Sequence, residues 1–110
     1  MELKQAYKIR EKSFKRRWKI RETKAHDYAT EDILSNFKRV SLLLEILGVD
    51  TNSPDGVAIV YIILKLDRLC NLLYRRIGTP ENESLQDTID DLLNYVELLE
   101  EVLIDEGRIK

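Results

Sequence analysis

Residues that turn or crosslink a chain are scarce in these 110 residues. There are four glycines and two prolines. That disfavours a sandwich or barrel with many tight turns, and a dinucleotide fold needing a glycine-rich loop. The single cysteine excludes an intramolecular disulfide, so nothing points to an oxidising compartment. With only one histidine beside it, a zinc site built from Cys and His alone is also excluded. No apolar run approaches membrane-spanning length, and the charged N-terminus lacks the hydrophobic region of a signal peptide. The expectation is a cytoplasmic protein with no membrane partner. No P-loop or Rossmann pattern is present, and no Ser-His-Asp grouping can be argued.

What is abundant is charge, carried on a real hydrophobic complement. Hydrophobic residues make up 44% and charged residues 35%, enough apolar surface for one packed domain spanning 1–110. The net charge of -2 hides an asymmetry. Residues 1–30 carry ten Lys or Arg against four Asp or Glu, a net of +6, and residues 31–110 carry a net of -8. The basic start can pack on the acidic remainder, on another subunit, or attract phosphates. The run Lys15-Arg16-Arg17-Trp18-Lys19 invites a nucleic-acid reading, but the whole-chain charge argues against it.

Apolar periodicity predicts an all-α protein, a four-helix up-and-down bundle with short connections. The first helix covers about Glu2 to Lys24, with a thin apolar stripe of Leu3, Ala6, Tyr7, Phe14 and Trp18. A break follows near His26-Asp27-Tyr28. Thr30 then caps a second helix, Glu31 to Leu47, that Gly48 ends. Asp32, Asn36 and Arg39 share its inward stripe with Leu43, Ile46 and Leu47. Ser53 and Pro54 open a third helix, Asp55 to Ile77, apolar nearly all round at first and therefore central. Gly78-Thr79-Pro80 closes it. The last helix starts within Glu81 to Ser84 and ends near Glu106. It turns Ile89, Leu92, Val96, Leu99 and Leu103 to one side. Glu83, Asp87, Asp90, Asp91, Asn94 and Glu101 fall on the other.

Lys65 and Arg68 sit where the central helix should be most buried, so they must snorkel, pair or bind an anion. If the third and fourth helices are antiparallel, both cations face Asp87, Asp90 or Asp91. Arginine grips phosphate with two donors and lysine offers a mobile point charge. Glu83, Asp87, Asp90 and Asp91 offer hard oxygens within two turns, and a magnesium ion held there could polarise phosphate or activate water. Acidic pairs of this kind also occur on solvated helix faces. Cys70 reads as a buried hydrophobe, and His26 more as a loop residue than as a catalytic base.

Three blocks carry a resemblance. They are His26-Asp27-Tyr28-Ala29 continuing through Asp32-Ile33-Leu34-Ser35-Asn36-Phe37-Lys38-Arg39; Lys65-Leu66-Asp67-Arg68-Leu69-Cys70-Asn71-Leu72; and the run from Asn82 to Tyr95. Over residues 24–99 the chain resembles the small phage and bacterial proteins described as nucleotide-modification-associated, domain type 1. Those look distantly similar to the all-α nucleoside triphosphate pyrophosphatases of the MazG and dimeric dUTPase kind. The resemblance implies a helical domain handling nucleotides linked to DNA precursor modification, in the host cytoplasm if viral, working as an oligomer. In the pyrophosphatases two acidic motifs hold magnesium. The second would fall on Glu83 to Asp90, or on Asp87 to Asp91. The first would fall where this chain has Lys65 and Arg68, with only Asp67 acidic.

The expected function is therefore nucleotide binding, with magnesium-dependent hydrolysis left open. Arg39, Lys65 and Arg68 would contact phosphate. Asp87, Asp90 and Asp91, with Glu83, would hold magnesium or orient the cations. Asn36 and Asn94 would read polar edges, and Asp32 and His26 would close the outer end. The rivals are sequestration of an intact cyclic nucleotide used as a defence signal, and a structural or protein-binding bundle whose charges form an internal network.

Overall fold

The computed structural model describes residues 1–28, 34–75 and 85–110, with side chains throughout those ranges except at 24–28. Among the described residues the chain is helical, without strands: α1 (Leu3–Tyr28), α2 (Ser35–Leu47), α3 (Pro54–Cys70), a π turn (Asn71–Arg75) continuing it, and α4 (Leu85–Asp105). The all-α expectation holds. No helix among these residues is long and apolar enough to cross a membrane.

Two helix ends follow from local chemistry. Gly48 adopts φ 68°, a left-handed conformation open to glycine at little cost, and its N–H and that of Val49 bond to the carbonyls of Glu45 and Leu44. Five residues later a compact loop starts α3. The Asn52 N–H donates to Asp50 Oδ1 at 2.9 Å, the Ser53 hydroxyl donates to the Asp50 carbonyl at 3.0 Å, and Ser53 Oγ accepts from the Gly56 N–H at 3.2 Å. Ser53 is thus the predicted N-cap and Pro54 the first helical residue. Ser53→Ala is expected to cost about 1 kcal/mol, read as a lower midpoint in thermal unfolding. An unchanged midpoint would show that the loop holds without its hydroxyl.

The α3–α4 pair is the centre of the fold. Tyr61 stacks on Tyr95 with ring centroids 5.0 Å apart and planes 9° from parallel. Lys65 reaches Asp91 at 3.0 Å, and Arg68 donates to Thr88 at 3.3 Å. Each step forward along α3 is matched by an equal step back along α4, so the helices are antiparallel in one fixed register. α2 packs on the other side of α3.

Several expectations are corrected. Residues 26–28 continue α1 and do not break it. Ile46 and Leu47 point to solvent, because α2 turns Val40, with Leu43 and Leu44 beside it, toward α3. On α4 the packed face is rotated toward Thr88 and Tyr95, which leaves Ile89 and Val96 exposed. Cys70 is only half-buried. The π turn has no counterpart in the periodicity, which predicts one regular helix to Ile77. Thr30, Asp32, Glu83 and the Gly78-Thr79-Pro80 stop lie outside the described residues, as does the side chain of His26.

Candidate functional site: a polar seam along the central helix

The core of this bundle is unusually polar. Among the described residues its buried apolar side chains are Val40 and Ile63, whereas the largest fully buried side chains are Arg68, Asn71 and Thr88. A buried guanidinium is costly unless its donors are answered. Arg68 donates through Nε to Thr88 Oγ1, so a hydroxyl from α4 answers a charge from α3.

Beside it lies a clasp. Asp67, with its side chain 4% exposed, accepts from Arg39 Nε at 2.6 Å and Arg39 Nη2 at 3.1 Å, a two-bond grip reaching across from α2. That bond, ahead of the opposing effect of burial, raises the Arg39 guanidinium pKa above its ordinary value. Arg75 bonds the same residue twice, donating from Nη2 to the Asp67 carbonyl at 2.9 Å and to Oδ1 at 3.3 Å. One buried carboxylate therefore serves two guanidiniums, both about 30% exposed.

The π turn explains how Arg75 gets there. At about 100° per residue, eight residues of α-helix would carry Arg75 some 80° past Asp67. A π turn closes i→i+5 bonds, holds an extra residue and lags in rotation. Its span, Asn71–Arg75, begins four residues after Asp67 and ends on Arg75 itself, which brings Arg75 back over Asp67. Such turns recur at functional sites.

The predicted site residues divide as follows. Arg39, Lys65 and Arg68 lie along the seam, Lys65 against Asp91 as antiparallel packing required. Asn36 is half-buried on α2, one turn before Arg39. Asn94 is exposed, as are Asp87 and Asp90, the latter accepting a bond from Gln86 at 3.0 Å. Asp32, Glu83 and the His26 side chain fall outside the described residues. Among the described residues no three Asp, Glu, His or Cys side chains form a group that could hold a metal ion. Asp91 is paired with Lys65 at 3.0 Å, so a cation already answers that carboxylate.

Asp67, Arg75, Asn71 and Thr88 belong to the seam although the sequence does not single them out as site residues. Asp67 is the one acid in the C-terminal half of the central helix, and two cations near such an acid are a legible pairing. Arg75 could not be assigned, because its position depends on the π turn. Comparison with protein-family models, curated proteins and solved structures returns no match.

Proposed function

We propose that the chain is a nucleotide-binding helical bundle that takes the phosphate of its ligand at Arg39, Arg75 and Lys65 of the seam, the fully buried Arg68 contributing its charge without contact. The observation that supports this reading is the sharing of one buried carboxylate, Asp67, by two half-exposed guanidiniums. Fixing two planar forks on one acid pre-orients both, and a pre-oriented guanidinium pair matches phosphate geometry. The resemblance to nucleotide-modification proteins points to the same ligand class. Hydrolysis with magnesium at Asp87, Asp90, Asp91 and Glu83 is the further form of this reading, and cyclic-nucleotide sequestration its non-catalytic form.

The test is calorimetry of the full chain with inorganic phosphate and with mono-, di-, tri- and cyclic nucleotides, with and without magnesium. A phosphate-bearing ligand should bind, and Arg75→Gln should weaken it at least about tenfold, on the scale of one lost charge-assisted bond. Product formation by the bound nucleotide would establish the hydrolase. Tight binding of an intact cyclic nucleotide would establish sequestration. Silence across the panel would overturn nucleotide binding.

One observation favours a second reading, the structural bundle: Arg75 and Asp67 bond within the protein, and Lys65 reaches Asp91. On that reading Arg75→Gln lowers stability and no ligand in the panel changes the unfolding midpoint.

A further inference from the structure

The chain leaves more surface bare than a molecule of its mass should. A folded monomer of 12.9 kDa has an accessible surface of about 6300 Å², against 8396 Å² here. The radius of gyration is 17.9 Å, where about 13 Å is usual for 110 residues. The roughly 2000 Å² of surplus exceeds the ~800 Å² per partner of a standard interface and reaches the range of obligate dimers.

Much of the bare apolar surface lies on two helices. In α1 no side chain between residues 1 and 23 is buried. Leu3, Tyr7, Phe14 and Trp18 form one exposed stripe at spacings of four, seven and four, with Phe14 stacked on Trp18 and Arg21 over its ring. The packing of α1 within its own chain is chiefly on α3 and the π turn. In α4, Leu85, Ile89, Leu93 and Val96 form a second exposed stripe at spacings of four, four and three, beside the face packed on α3. Both spacings keep a seam on one side of a helix, as helix pairing requires.

The charges on the two helices are complementary. α1 carries ten Lys or Arg against three acids, a net of +7, with Arg10, Arg17 and Arg21 beside its stripe. α4 carries seven acids and no Lys or Arg, a net of -7, with Glu97 and Glu100 beside its stripe. An apolar basic seam and an apolar acidic seam, each uncovered, fit each other.

We infer that the chain pairs with a second copy of itself, the α1 stripe of each copy lying on the Leu85–Val96 stripe of the other's α4. The exchange is reciprocal, closes under two-fold symmetry and satisfies both seams at once. It does not depend on the nucleotide reading.

Sedimentation of the full chain over a wide range of concentration should give twice 12.9 kDa. Emission of Trp18, the one tryptophan, should move to shorter wavelength as the dimer forms. Tyr7→Glu with Phe14→Glu, both at solvent-exposed positions, should raise the dissociation constant at least about a hundredfold, the scale of losing interface anchors. Reversing Arg10→Glu and Arg17→Glu, or Glu97→Lys and Glu100→Lys, should each dissociate the pair, and all four together should restore it. Circular dichroism of each variant verifies that it remains folded. A chain that stays monomeric overturns the inference. So does a dimer that withstands the α1 changes, which would use another face. A monomer with blue-shifted Trp18 would mean that α1 folds back on its own α4. A monomer whose Trp18 responds only to vesicles of anionic lipid would make the stripe a membrane-surface helix. Either result overturns the pairing.

Discussion

Asp67→Ala is expected to lower the stability of this protein by about 3 kcal/mol, the low end for removing one partner of a buried ion pair. The position is set by exposure. Asp67 is almost completely shielded, while Arg39 and Arg75 are about 30% exposed and recover some hydration when released. The residual cost comes from two guanidiniums left facing each other across the vacated site. Urea denaturation measures it directly, and the melting temperature should fall by roughly 10–20 °C. Arg39→Met combined with Asp67→Leu should cost less than the two single changes added together, since the pair is coupled through two hydrogen bonds at 2.6 and 3.1 Å. A loss below about 1 kcal/mol for Asp67→Ala would place the clasp among ordinary surface ion pairs.

Gly56→Ala should be almost as damaging, against the usual sign. Alanine for glycine inside a helix ordinarily gains up to about 1 kcal/mol. Here a Cβ on Gly56 would lie 1.5 Å from the Asp50 carbonyl oxygen and 2.6 Å from its carbon. The obstacle is backbone, so no side-chain rotation relieves it. The Asp50 loop must withdraw, and its carbonyl then loses the Ser53 hydroxyl that caps α3. Overpacking and a lost cap together amount to about 3 kcal/mol. Thermal unfolding followed by circular dichroism reads the effect. A variant as stable as the parent would show that the approach of Asp50 to α3 is dispensable.

These two sites place the weight of the fold on α3. Its N-terminus is fixed by a backbone contact and its C-terminal half by charge, with few buried apolar side chains between them. A polar core of this kind specifies register. Lys65 and Arg68 meet Asp91 and Thr88 in one antiparallel alignment. Sliding α4 by four residues in one direction would set Lys65 against Tyr95 and Arg68 against Leu92, which is expensive in a partly dry interior.

Local chemistry and periodicity suffice for the helical class, the capped start of α3 at Ser53-Pro54, the stop at Gly48 and the facing of Lys65 toward the acidic flank Asp87 to Asp91, within which the structure selects Asp91. Each is a short-range or periodic property: a hydroxyl three residues from an N–H, a glycine free to take positive φ, an apolar repeat near 3.6. Tertiary structure alone decided which flank of each amphipathic helix was covered. Ile46, Leu47, Ile89 and Val96 are as apolar as their packed neighbours, and a stripe wider than its contact leaves a margin that periodicity does not assign. It also decided the clasp. Asp67 and Arg75 come together because one π turn changes the rotation between them, and Arg39 completes the group from 28 residues away in the chain. A change of a fraction of a turn, made within a helix and read across helices, is fixed by packing and has no local signature in the sequence.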